Sequence, residues 1–178
     1  SRESFMRVQQ AYAAIRDDAV EVAENGTVDV DSDGAGGQAA TQEPQGPPPG
    51  MSRMEYLDYE VLADYGWEID DEDLFETAAD ADLGPGEYGR LLVDHDETLL
   101  EAAERCGFAW PYACRGGACA NCAVLVREGE VEMAESHVLP DGMVDEGIRL
   151  SCLCRPESDE LQVVYNVKGL PGLDELRL

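Results

Sequence analysis

Three observations place this chain among α+β domains: several short runs alternate apolar and polar residues as strands do, the run TLLEAAERC carries its apolar side chains at helical spacing, and an acidic stretch is inserted between two of the strand-like runs. The charge is lopsided, with 39 Asp and Glu against 12 Lys and Arg in 178 residues, a net charge of -27. Such a surface repels nucleic acid and anionic membranes, so neither is an expected partner. Self-repulsion also opposes a compact state at low ionic strength, and it is largely screened near 1 M salt, where the Debye length is about 3 Å. The composition therefore points to a concentrated-salt compartment. No apolar run approaches the roughly 18 to 20 residues of a membrane span, and no secretory signal pattern is present.

Phe5, Val8, Tyr12, Ile15, Ala19 and Val22 fall on one stripe of a helix, so 1-25 is expected to be an amphipathic helical segment. Residues 26-52 are rich in Gly, Pro and short polar side chains with little to bury, which predicts a flexible, disordered linker. The compact domain is expected over 53-178. MEYLDYE reads as its first strand. From Asp58 to Glu87 twelve carboxylates occur without a single Lys or Arg, yet Leu74, Phe75 and Ala78 share one helical face, so an acidic helical insertion is expected over about 60-86. Gly84, Pro85 and Gly86 mark a turn, and YGRLLVD from Tyr88 is a second strand. In TLLEAAERC, Leu99, Ala102, Ala103 and Cys106 form one helical face, with Asp96 or Thr98 as cap and Cys106 expected as a small buried hydrophobe. Ala123 to Arg127 is strand-like, Gly129 suggests a hairpin leading to Val131 and Met133, a short helix or turn is expected over Leu139 to Glu146, and IRLSC and LQVVYNV follow as strands.

Six cysteines are too few for a disulfide scaffold in a chain of this length, and their clustering reads as a metal or redox site in a reducing, cytoplasmic compartment. CRGGACANC places thiols at Cys114, Cys119 and Cys122, Cys152 follows after twenty-nine intervening residues, and Cys154 lies two further on. Four soft thiolates bind tetrahedral zinc or an iron-sulfur cluster. Structural zinc favours paired short knuckles, whereas three thiols from one loop and one from a distant strand suit a two-iron cluster. Ala113, Gly116, Gly117, Ala118, Ala120 and Ala123 are small, so the backbone can wrap closely and its N–H groups can donate to the sulfurs. Arg115 has two readings, a solvated or salt-bridged side chain and an electrostatic support of an anionic cluster. His95 and His137 have no metal-ligand spacing and are expected at the surface. Nothing in the sequence pairs a nucleophile with a base or sets a Gly-rich phosphate loop after a strand, so an enzyme is not expected.

At PYACRGGACANC and the later LSC the chain resembles the plant-type [2Fe-2S] ferredoxins. The wider run, from MEYLDYEVLADYGWEIDDEDLFETAADA through YGRLLVD, LLEAAERCGFAWPYACRGGACANCAVLVREGEVEM, IRLSC and VVYNVKGL, resembles more closely the ferredoxins of halophilic archaea, which carry an acidic, partly helical insertion near the start of a β-grasp fold. This likeness spans about Arg53 to Leu178. It implies a β-grasp ferredoxin-type domain holding a [2Fe-2S] cluster on Cys114, Cys119, Cys122 and Cys152, with Leu150 and Ser151 matching the residues before the family's last ligand. Cys154 departs from the pattern; in extended chain it would face the same side as Cys152, so it is the expected substitute ligand when Cys152 is mutated. The implied function is a soluble, monomeric one-electron carrier at around -400 mV, serving redox enzymes such as 2-oxoacid oxidoreductases and ferredoxin-dependent reductases. A second reading is an interaction module, in which the metal is structural and the N-terminal helix recruits a partner.

Overall fold

The computed structural model describes residues 46–178; the helical segment expected over 1-25 and the linker as far as residue 45 lie outside the described residues. The chain runs β1 (Met51–Asp58), α1 (Tyr59–Tyr65), α2 (Leu74–Asp80), β2 (Tyr88–Asp94), α3 (Leu99–Arg105), β3 (Ala123–Glu128), β4 (Val131–Met133), α4 (Asp141–Asp145), β5 (Ile148–Leu150), β6 (Cys154–Pro156) and β7 (Glu160–Tyr165), followed by 3-10 turns at Val167–Gly169 and Asp174–Leu176. Five strands form one mixed sheet in the order β2-β1-β7-β3-β5, and β4 pairs with β6 in a separate two-stranded sheet. This is the α+β, ferredoxin-type architecture the sequence predicts.

Strand alternation explains the sheet. In β1, Ser52, Met54 and Tyr56 point inward and are buried, while Arg53 and Glu55 point outward. The outward pair meets its neighbours across the ladder: Arg53 Nη1 lies 2.8 Å from Glu160 Oε1 on β7, and Glu55 Oε1 lies 2.7 Å from Arg90 Nη2 on β2. Such exposed pairs are each worth about 0 to 1 kcal/mol, so they set register more than stability. The central strand β7 runs parallel to β1 and antiparallel to β3, and its Leu161, Val163 and Val164 are buried. Helix α3 adds Leu99, Leu100, Ala102 and Ala103 to the same core.

Both ends of α3 are chemically defined. Thr98 Oγ1 accepts from the Glu101 N–H at 3.3 Å and the Glu101 carboxylate accepts from the Thr98 N–H at 2.9 Å, a reciprocal capping box that selects Thr98 over Asp96 as the cap. At the other end Gly107 takes φ +87, its N–H bonding Glu104 O and the Phe108 N–H bonding Ala103 O, both at 2.9 Å. That turn corrects the expectation for Cys106. It is exposed, because the chain reverses after it and Phe108 folds back onto the core in its place.

Two further expectations change. The strand MEYLDYE starts earlier and ends sooner, since Asp58 caps α1 by accepting from the Glu60 N–H at 3.0 Å and thereby turns Tyr59 and Glu60 into helix. The hairpin at Gly129 does not form. Strand β3 already has β7 on one side and β5 on the other, so β4 has no edge to join and pairs with β6 instead, Met133 opposite Cys154. The acidic insertion holds as expected: Leu74, Phe75 and Ala78 of α2 are buried, each large side chain contributing about 1.5 to 3 kcal/mol. Arg127 Nη2 donates to Asp71 O at 2.9 Å, and Tyr56 OH to Pro85 O at 2.6 Å, tying the acidic segment to the sheet.

Candidate metal centre

The segment between α3 and β3 has no regular structure, and its small residues let it fold into a tight loop that presents sulfur inward. Cys119 Sγ stands 3.3 Å from Cys114 Sγ, and Cys122 Sγ stands 3.3 Å from Cys152 Sγ. Cys119, Cys122 and Cys152 are buried and Cys114 is half-buried. The distant cysteine is brought in by the turn after β5: the Ser151 N–H and Oγ–H both donate to Cys122 O at 3.0 Å, and Ser151 O accepts from the Leu100 N–H of α3 at 3.1 Å. The Val138 N–H donates to the carbonyl of Gly117, itself at φ +78, at 2.8 Å, so the segment before α4 closes over the loop. Residues near position 120 are fixed from the other side, the Ala120 N–H donating to Leu176 O at 2.7 Å and the Leu178 N–H to Asn121 Oδ1 at 2.9 Å.

The four sulfurs thus form two close pairs. Thiolates about 2.3 Å from a shared tetrahedral metal lie on the order of 4 Å apart, so each pair suits one metal. That arrangement fits two irons better than one zinc. The electrostatics agree. The Gly116 N–H points at Cys114 Sγ from 3.4 Å and, with the Cys119 thiol and the N–H groups of Ala118 and Cys119, holds the Cys114 thiol below its usual range. Cys152 is likewise lowered by the hydrogen bond it accepts from Cys122, whose own thiol is raised by giving it. Cys114 and Cys152 are thus the two thiols biased towards thiolate.

Arg115 takes the salt-bridged form of its two expected readings. Its Nη1 bonds Glu104 Oε2 at 3.0 Å and its Nη2 bonds Oε1, a two-pronged pair, while its guanidinium lies 3.9 Å above the Tyr112 ring. Arg115 sits at φ +54, a left-handed backbone conformation that side-chain-bearing residues rarely adopt.

Residues 87–157 match the model of the 2Fe-2S iron-sulfur cluster binding domain. Ferredoxin-2 of Haloarcula marismortui is 56% identical over 125 residues, 70% of this chain and 91% of that protein. This chain belongs to the [2Fe-2S] ferredoxin family. Ferredoxin-1 of the same organism is 48% identical over 124 residues, 69% of this chain and 96% of that one, and the chloroplastic Ferredoxin-6 of Zea mays is 42% identical over 78 residues, 43% of this chain and 50% of that one. This ferredoxin is a one-electron carrier with a [2Fe-2S] cofactor and not an enzyme. Among its described residues no helix is long and apolar enough to cross a membrane.

Other predicted positions fall elsewhere. Cys154 is fully buried at the start of β6, and burial pushes its thiol up to about 12. Residues 151–153 form a turn rather than extended chain, so alternation does not relate its direction to that of Cys152. His95 and His137 are half-buried rather than surface residues: Ser52 Oγ lies 3.2 Å from His95 Nε2, and His137 Nδ1 is enclosed without a hydrogen-bond partner among the described residues. Sequence reasoning missed Glu104 and Tyr112 as partners of Arg115. The signal available was weak, an acid in the last turn of α3 and an aromatic three residues before the arginine.

Proposed function

We propose that Cys114 and Cys119 hold one iron, and Cys122 and Cys152 the other, in a ferredoxin domain spanning 53-178, with 1-25 a helical segment and 26-52 its linker. The carrier passes electrons between redox enzymes, 2-oxoacid oxidoreductases and ferredoxin-dependent reductases among them, and works as a monomer in the cytoplasm. The observation that supports the ligand set best is the pair of 3.3 Å sulfur contacts, one within the loop and one across to the turn after β5. When bound, the cluster supplies reversible one-electron chemistry. The chain's part is to bury the sulfurs, supply amide N–H donors that stabilise their negative charge, and leave Cys114 at the surface where a partner can approach. With each thiolate committed to iron, no open position remains for a substrate.

The test is an ultraviolet-visible spectrum of the full chain in molar salt before and after dithionite, with iron and sulfide quantitation, for the parent, Cys152→Ser and Cys154→Ser. The expected result is two irons and two sulfides per chain in the parent, a lost or altered cluster in Cys152→Ser and a nearly unchanged spectrum in Cys154→Ser. The reverse pattern would reassign the fourth ligand, and one zinc in a colourless parent would overturn the reading.

A further inference from the structure

Arg115 occupies the left-handed region at φ +54, although the glycines that favour that region follow it at 116 and 117. The consequence of this backbone turn is local and specific: the next amide, Gly116 N–H, is aimed back at Cys114 Sγ from 3.4 Å. What holds the turn lies outside the loop. Glu104 stands in the last turn of α3, a helix fixed to the core by Leu99, Leu100, Ala102 and Ala103, and its carboxylate grips both prongs of the Arg115 guanidinium while Tyr112 supports the same group from below its plane.

We propose that Glu104 is a positioning residue for electron transfer: acting through Arg115, it fixes the left-handed turn that points the Gly116 amide at Cys114, and by doing so raises the reduction potential of the centre. An N–H dipole aimed at a ligand sulfur stabilises the reduced form, which carries one more negative charge, more than the oxidised form. A carboxylate acting only through its charge does the opposite, because it disfavours the added electron. The two roles therefore predict opposite signs for the same mutation.

In Glu104→Ala, measured on the full chain in molar salt, where long-range charge is screened, the midpoint potential should fall. The expected shift is roughly tenfold in the reduced-to-oxidised ratio at fixed poise, or about 59 mV for a one-electron couple, together with a changed EPR spectrum of the reduced protein and faster hydrogen exchange at the Gly116 amide. A potential that stays put or rises overturns the proposal. Arg115→Gly and Arg115→Ala form the second test. Both remove the same charge, but glycine keeps access to the left-handed turn and alanine does not, so the alanine variant should lie lower in potential; equal shifts would assign the effect to charge and overturn the positioning role. The inference rests on Cys114 being a ligand, so Cys114→Ser is prepared alongside. An unaltered cluster in that variant overturns the ligand assignment and the positioning role together, whereas a Cys114-dependent cluster with a risen Glu104→Ala potential refutes the positioning role alone.

Discussion

Adjacent glycines in the cluster loop should respond in opposite ways to the same methyl group. Gly117 has φ +78, and a Cβ there would stand 2.7 Å from the Ser136 carbonyl oxygen and 2.7 Å from Leu153 Cδ1. Leu153 can rotate aside, but the Ser136 oxygen is backbone, and moving it strains the Val138 N–H bond to Gly117 O. The left-handed conformation costs alanine about 1 to 2 kcal/mol and the displaced backbone about 1 to 3 kcal/mol. Gly117→Ala should therefore destabilise the folded protein by about 2 to 5 kcal/mol, a factor of roughly 30 to 4,000 in the folding equilibrium. At Gly116 the nearest atom to an added Cβ is Cys114 O at 3.8 Å, ordinary contact, and the φ lies outside the left-handed region. Gly116→Ala should shift stability by no more than about 1 kcal/mol, and toward greater stability if the unfolded chain loses freedom. Urea unfolding in molar salt, followed through the visible absorbance, gives the two midpoints. Equal midpoints for the two variants, or a larger loss at Gly116, would refute this steric account of the loop.

Dilution from about 1 M to 0.1 M salt lengthens the Debye length from about 3 to 10 Å, and the stretch from Asp58 to Glu87, with no Lys or Arg, is where repulsion should be felt first; the visible bands should fade on long exposure to low salt, and equal retention in both conditions would contradict this. Thr98→Ala removes the side-chain half of the capping box, leaving the backbone N–H of residue 98 to the Glu101 carboxylate, and should cost about 1 kcal/mol of stability by urea unfolding, with Thr98→Ser recovering most of it. Burial and then the Glu55 carboxylate push the Tyr88 phenol up to about 12 from 10.0, and burial and Asp58 raise Tyr165 as well. Because these folded values exceed the unfolded one, the neutral phenols contribute fully below pH about 10 and their contribution is lost as pH climbs towards 12; spectrophotometric titration should show delayed phenolate formation in the folded protein, and Tyr88→Phe should flatten the alkaline loss of stability.

Much of the fold was legible because single elements declare themselves locally. The boundaries of β2 and α3, and the buried triplet Leu74, Phe75 and Ala78, follow from period and capping alone. What failed depended on partners far along the chain. Gly129 and the apolar Val131 and Met133 look the same whether β4 returns to β3 or leaves it, and the choice is made by β7 and β5, which already flank β3. Cys106 lies on the predicted apolar stripe, but the chain turns at Gly107, so the stripe's last member stays exposed while Leu99, Ala102 and Ala103 are buried. At the metal centre, the proposed set of four thiols came from the family resemblance, while the close approach of the sulfurs in two pairs and the grip of Glu104 on Arg115 needed the fold to bring separate segments together.

The position of β7 in the sheet bears on when this protein can be assembled in a cell. The last strand in the chain lies between the first and the third, so the sheet has no centre until residues 160–165 have left the ribosome. By then the loop carrying Cys114, Cys119 and Cys122 is long since synthesised, and the fourth thiol of the set at Cys152 has only just followed it. Sheets whose pairings are this distant in sequence form late and slowly. Iron and sulfide are accordingly expected to enter only once β7 has emerged and paired, into a chain whose earlier thiols must be shielded from oxidants or stray metal while they wait.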